Sequence, residues 1–330
     1  MSLELLYLGI GAALFFAFWN GFTDAANAIS TVVATRVLTP IKAVALSAVG
    51  NFLGLYFGVE VAKTIWKGLV HESIVGPELV IAAILGGLVY DVITWYFGLP
   101  VSETHVLIGS IVGAGIFIGG IEKVILGSVV SKVLLPMVYS PVIAFGAAFL
   151  FAALIIRVFR RYPATRANRY FRNLQLASSF FFSFSHGSQD GQKVVGIVLA
   201  MLAFEGILTE PVKTAPFWVI TAVQIALSLG TLLGGWRIVK TMAMKITKLR
   251  PYQGFAAETS GALVLVGMAQ LGAPISTTHA ISSSIMGVGT TQRFSAVRWG
   301  IARRIVVAWV LTLPAAMGFA FLVAWAVSLF

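Results

Sequence analysis

The sequence predicts an all-α, multi-pass membrane protein made of two inverted-topology repeats. It should contain broken helices, paired helical hairpins and about 12 membrane segments. Three observations predict this. Of 330 residues, 58% are hydrophobic and 11% charged, whereas a soluble domain carries about 25% charged residues. One phrase is written twice, as G-L-P-V-S-E-T-H-V-L-I-G-S-I-V-G-A-G (98–115) and G-A-P-I-S-T-T-H-A-I-S-S-S-I-M-G-V-G (272–289). Pro100, Ser102, Thr104, His105, Ser110, Gly113 and Gly115 recur at an offset of 174 as Pro274, Ser276, Thr278, His279, Ser284, Gly287 and Gly289. Finally, N-G-F-T-D (20–24) matches H-G-S-Q-D (186–190) at an offset of 166. Gly21 thereby pairs with Gly187, Asp24 with Asp190 and Asn27 with Lys193. Duplicated motifs are the signature of an internal repeat.

The elements follow in order. Residues 3–19 are apolar, meet the polar stretch 20–28, and turn apolar again to Ala34. This reads as one long helix broken near its middle, because about 20 residues cross a bilayer. Residues 43–62 form a second span and 63–77 a loop. Residues 78–97 and 102–121 are a hairpin folded at the Pro-Val-Ser turn, and 134–156 is another span. The stretch 157–172 carries six Arg and no acid. The second half repeats the plan. A helix over 174–204 is broken at 185–193, then come a loop at 205–215, a span at 216–236 and a basic loop at 237–250. A hairpin over 254–271 and 275–291 and a last span over 305–329 complete it. The expected division is therefore 1–156, a basic linker at 157–173, and 174–330.

Basic residues set the orientation. With 157–172 cytoplasmic, 36–42, 237–250 and 293–304 also fall inside, and the inside loops hold 17 Lys and Arg. The outside loops hold five, Lys63, Lys67, Lys123, Lys132 and Lys213. Both termini come out external, and the first hairpin enters from outside while the second enters from inside. This distribution accounts for the net charge of +11 without nucleic acid. The N-terminus lacks the basic stretch of a cleaved signal peptide. With no cysteine, disulfide and thiol chemistry are excluded.

Two kinds of site follow. A carboxylate deep in a span is costly and marks function. Asp24 and Asp190 stand at matched positions, each beside a Gly. With Asn27, Gln189 and Glu258 they form a candidate site for sodium or another hard cation, helped by carbonyls freed where the helices break. Asn51 and Gln224 are further candidate oxygen donors. The hairpin turns offer the complement. Ser102, Thr104, Ser276, Thr277 and Thr278 sit where helices begin, and two helix N-termini aimed at one centre make an anion site. Neither turn contains Lys or Arg, so bound cations would have to balance the anion, and coupled transport follows from electrostatics. His105 and His279 read as helix-contact residues, Glu103 as a cap of its own helix, and Tyr90-Asp91 as structural.

These motifs resemble inorganic phosphate transporters of the PiT type. The resemblance rests on G-F-T-D-A-A-N-A (21–28), S-H-G-S-Q-D-G-Q-K (185–193), P-V-S-E-T-H (100–105) and P-I-S-T-T-H (274–279), and covers nearly the whole chain. It implies cation-coupled uptake of inorganic phosphate across the cell membrane by alternating access, in a homodimer and without an enzymatic step. It places Asp24, Asn27 and Asp190 at cation sites, Ser102, Thr104, Ser276, Thr277 and Thr278 beside phosphate, and Glu258 at a carboxylate position. Some members have an acid at position 51; Asn51 departs from that. Sodium is the expected coupling ion. A proton-coupled carrier of phosphate or metal-phosphate, and a sulfate carrier, are the alternatives within this fold. An intramembrane aspartyl protease would explain Tyr90-Asp91 but lacks its G-x-G-D partner, since Gln189 precedes Asp190. A passive anion channel would not accumulate its ion.

Overall fold

The computed structural model describes residues 3–56, 58–208 and 215–329, without the side chains of Trp66 and Lys67. Most of the expected 205–215 loop, including Lys213, lies outside the described residues. Thirteen α-helices occur among the described residues: α1 (Leu3–Ala34), α2 (Pro40–Gly54), α3 (Glu60–Gly68), α4 (Pro77–Phe97), α5 (Glu103–Gly119), α6 (Leu126–Val129), α7 (Leu135–Phe159), α8 (Ala164–Phe204), α9 (Phe217–Leu233), α10 (Trp236–Lys245), α11 (Pro251–Gln270), α12 (Thr277–Thr290) and α13 (Trp299–Val327). Their starts follow from local chemistry. Pro40, Pro77 and Pro251 open helices where a missing N–H costs nothing. Ser102 and Ser276 cap α5 and α12 by accepting from the His105 and His279 amides. Gly98, at φ 63°, and Gly272, at φ 67°, take the left-handed conformation that lets each hairpin turn.

The expected breaks in the first and eighth helices do not occur. α1 runs unbroken for 32 residues and α8 for 41. At 1.5 Å per residue α8 is about 60 Å long, twice the hydrocarbon thickness. No main-chain carbonyls are therefore freed for a cation beside Asp24 or Asp190. Gly21 and Gly187 serve close packing instead. A Cβ on Gly21 would strike the Leu227 carbonyl, and one on Gly187 would strike the Asn51 main chain.

Other boundaries shift too. The expected linker 157–173 is the end of α7, a short turn and the start of α8. The expected second span ends at Gly54, and α3 fills much of the expected loop at 63–77. α10 replaces much of the basic loop at 237–250 and bends 65° away from α9. Both short helices clasp the opposite hairpin. Thr64 donates to the Gly272 carbonyl (2.7 Å) and Thr241 to the Gly98 carbonyl (2.9 Å).

The first, fourth and last helices, and the α6–α7 run, are long and apolar enough to cross a membrane, as is the bent α9–α10 pair if counted as one span. α7 and α13 show how such a helix is seated. Ala144, Ala148 and Ala152, and likewise Ala316, Ala320 and Ala324, are buried at four-residue intervals, while Val138, Val142, Leu150, Val306, Val310 and Leu322 are exposed. Small residues let helices approach and large apolar ones face lipid.

The two halves are interlocked. α1 packs on α9 as α8 packs on α2, and α5 packs on α13 as α12 packs on α7. The contacts match residue for residue. Gly230 meets Phe18 where Gly54 meets Phe184, and Gly113 meets Met317 where Gly287 meets Phe145. A Cβ at these crossings must displace main chain, so Gly187→Ala should destabilise by about 1–3 kcal/mol, the usual cost of overpacking. Gly11, which has open space around it, is the control. Thermal unfolding in detergent should show a lower midpoint for Gly187→Ala and none of that loss for Gly11→Ala.

Candidate functional site

The two hairpin turns meet at the centre. The His105 and His279 rings, one from each first helical turn, stand 4.7 Å apart edge to face, and Thr104 donates to the Ile275 carbonyl of the opposite turn (3.1 Å). Packed against this junction are the middles of α1 and α8. From α1, Asn27 Nδ2 donates to the hydroxyls of Thr278 (2.9 Å) and Thr277 (3.2 Å). The Thr277 hydroxyl lies between Asp24 Oδ2 (3.2 Å) and Asp190 Oδ2 (3.4 Å), and Thr278 donates to Asp24 Oδ1 (3.4 Å). All these residues are buried. Asp24, Asn27, Asp190, Thr104, Thr277 and Thr278 thus form one cluster. Ser102 and Ser276 adjoin it, their oxygens occupied as caps.

Two members escaped the sequence reading. His186 Nε2 lies 3.1 Å from Asp190 Oδ2 and 3.8 Å from Asp24 Oδ2. Asn51 sets its orientation, pairing with His186 Nδ1 at 3.0 Å while donating to Thr231 (2.8 Å). Asn51 therefore holds a cluster residue in place. Lys193 corrects the reading of the turns as lacking a cation. Its Nζ donates to Asp190 Oδ1 and to Thr104 Oγ1, both at 2.5 Å, and to the Ile275 carbonyl at 3.1 Å. The two hairpin turns thus have a protein cation among them, brought by α8. The alignment of Lys193 with Asn27 was the available signal.

The remaining candidates lie apart. Glu258 on α11 accepts from Thr31 (2.6 Å), Gln175 (3.1 Å) and Ser178. Thr31 is seven residues beyond Asp24, about 10 Å along α1, so Glu258 forms its own polar cluster. Gln189 Nε2 bridges the carbonyls of Leu265 (3.2 Å) and Ala273 (3.3 Å), tying α8 to the second hairpin. Gln224 donates to the Asn51 carbonyl (2.7 Å). Glu103 does not cap its own helix; its carboxylate accepts from Thr23 of α1 at 2.6 Å. Tyr90 pairs with Thr312 at 3.2 Å, which fits a structural role.

Chemically, the cluster offers two carboxylates, an imidazole, an ammonium, an amide and three threonine hydroxyls, at the N-termini of two helices. Asp24, His186 and Asp190 can place one donor atom each within 4.8 Å of the others, close enough to share a cation. The hydroxyls and the ammonium suit an oxyanion.

The phosphate transporter family profile matches residues 20–169 and again 159–320. The chain belongs to the phosphate transporter family. It is 45% identical over 317 residues to a probable low-affinity inorganic phosphate transporter of Rhizobium meliloti, covering 96% of this chain and 94% of the relative. A protein of the same description from Bacillus subtilis is 39% identical, covering 94% of each. The fold matches a solved structure described as the sodium-dependent phosphate transporter, with a TM-score of 0.87 and 24% identity over 99% of this chain and 100% of that one. As a family member the chain is a membrane transporter and not an enzyme.

The threonine hydroxyls can be tested directly. Thr104→Val with Thr278→Val removes the groups that bond Lys193 and Asn27 while keeping side-chain shape. Loss of two hydrogen bonds to an anion should weaken phosphate binding by about tenfold or more. Equilibrium binding of radiolabelled phosphate to the purified protein measures it.

Proposed function

We propose that the chain carries inorganic phosphate across the cell membrane together with sodium, by alternating access between two inverted repeats. The observation that carries this reading is the meeting of two hairpin N-termini, with Thr104, Thr277, Thr278 and Lys193, directly against Asp24 and Asp190. Phosphate needs convergent donors. Thr104, Thr277, Thr278 and the capped turns at Ser102 and Ser276 supply them. Sodium needs hard oxygen ligands, which Asp24, Asn27 and Asp190 supply a hydroxyl's width away. Asn27 Oδ1 is buried and without a hydrogen-bond partner among the described residues, as expected of an oxygen kept for a cation. Glu258 marks a second cation position along the path, and Gln189 Oε1, also unpartnered among the described residues, contributes from α8. Cation and anion then stabilise each other in a site of low dielectric, so neither crosses efficiently alone.

Inversion is supported by the exchange of packing partners between the halves and by the basic loops, which put 157–172 in the cytoplasm and both termini outside. The PiT-type motifs extend the proposal to a homodimer.

A second reading has an observation of its own. His186 between two carboxylates is a donor set suited to a divalent metal more than to sodium. In that case the cargo is a metal-phosphate complex, with protons driving it.

Uptake of radiolabelled phosphate into proteoliposomes separates these readings. An inward sodium gradient should drive accumulation. Accumulation driven only by protons, and stimulated by divalent metal, would establish the second reading. Competition by sulfate tests the substrate. Asp24→Asn and Asp190→Asn should each abolish gradient-driven uptake while the protein stays folded; normal sodium-driven uptake by either would move the cation site elsewhere.

A further inference from the structure

The two halves of the site share one plan, and at one matched pair an amide in the first half is an ammonium in the second. Asp24 and Asp190 are equivalent at an offset of 166, as are Asn27 and Lys193, and Thr104 and Thr278 are equivalent at 174. The contacts obey the same relation. Asn27 reaches from α1 to Thr278 at the start of α12, and Lys193 reaches from α8 to Thr104 at the start of α5. Each therefore stands one turn beyond its aspartate and binds the first-turn threonine of one hairpin. Asn27 brings a neutral amide whose oxygen has no partner among the described residues. Lys193 brings an ammonium that lies 2.5 Å from Asp190.

We infer that the Lys193 ammonium is a tethered cation, standing in Asp190's half of the site where Asp24's half takes a diffusible one. This deepens the reading given under Proposed function and rests on it. The chemistry is that of charge balance. A doubly charged oxyanion beside two buried aspartates needs several positive charges, because unbalanced charge in a low-dielectric site is expensive. In a site with Asn at both positions, each aspartate would need its own free cation. Here one of those charges is covalently fixed, so the cost in coupling ions per phosphate falls by one. A purely structural ion pair would need only Asp190. It would not explain why the same ammonium also binds Thr104 and the Ile275 carbonyl, which belong to the two facing turns.

The test exchanges the two residues' chemistry. Binding of radiolabelled phosphate to purified protein is measured from zero to saturating sodium for wild type, Lys193→Asn and Asn27→Lys, with unfolding midpoints recorded for each. Lys193→Asn should weaken phosphate binding at zero sodium by about tenfold or more. High sodium should restore it, with a sodium Hill coefficient about one higher than wild type. Asn27→Lys should bind phosphate with less dependence on sodium than wild type. This second variant keeps the test decisive should Lys193→Asn fold poorly.

The inference is overturned if Lys193→Asn lowers the unfolding midpoint but binds phosphate as wild type does at every sodium concentration. Where wild-type binding depends on sodium, it is equally overturned if Asn27→Lys keeps that dependence. The underlying reading fails separately. If wild-type binding ignores sodium while Lys193→Asn acquires a sodium requirement, sodium coupling is lost and the tethered cation stands. If wild type binds no phosphate at all, both fall together.

Discussion

Charge buried away from water is the constraint on which this structure depends. Asp24 and Asp190 lie inside a helical membrane protein, and an ionised carboxylate there must be paired or coordinated. The fold meets the requirement asymmetrically. Asp190 is held by His186 and Lys193 from its own helix, at 3.1 and 2.5 Å. Asp24 has two threonine hydroxyls at 3.2 and 3.4 Å and a more distant imidazole. Around these groups the other elements fall into place. The second hairpin brings Thr277 and Thr278 to the carboxylates, the first brings Thr104 to Lys193, α2 brings Asn51 to fix His186, and the short helices α3 and α10 lock the hairpin turns through Thr64 and Thr241.

Much of this was legible in the sequence because repetition is a one-dimensional signal. The paired Pro-Ser-Thr-His turns located both hairpins, and the paired Gly-x-x-Asp segments located both aspartates. Thr277 and Thr278 read as phosphate ligands and Asn27 as a cation ligand, and the fold brings the three into hydrogen-bond contact. What the sequence did not show depends on reach and on helix continuity. Lys193 lies 89 residues from Thr104, and only a long side chain crossing from α8 joins them. His186 looked like part of a break because Gly, Ser, Gln and Asp surround it. In the folded chain Asp190 pairs with His186 and Lys193, Ser185 donates to the Phe181 carbonyl and Gln189 donates to the Leu265 and Ala273 carbonyls, all from a continuous helix.

The glycines teach the same lesson. Gly beside Asp in a membrane helix reads as a hinge, since glycine costs a helix about 1 kcal/mol relative to alanine. Yet Gly21 and Gly187 sit in regular helix, where another main chain lies against the missing side chain. Glu258 shows the opposite limit. Its type and depth were apparent, but not its membership. Thr31, Gln175 and Ser178 surround it, and only the winding of α1 reveals that Thr31 and Asp24 lie on different levels of the same helix.

Because each half lends its helices to the other, the unit repeated along the chain is not the unit that packs together. α5 is seated on α13, and α12 on α7, by glycine contacts too close to slide past one another. Under the proposed alternating access, a body that tilts would combine pieces of both halves, α5 with α13 and α12 with α7. The first helices pair across the halves in the same way, α1 on α9 and α8 on α2, and α8 also packs closely on α11 of the second hairpin. The aspartates stand on these first helices and the threonines on the hairpins. Under the proposed reading, bound ions would tie the first helices to the hairpins, as Lys193 and Asn27 already do through Thr104 and Thr278.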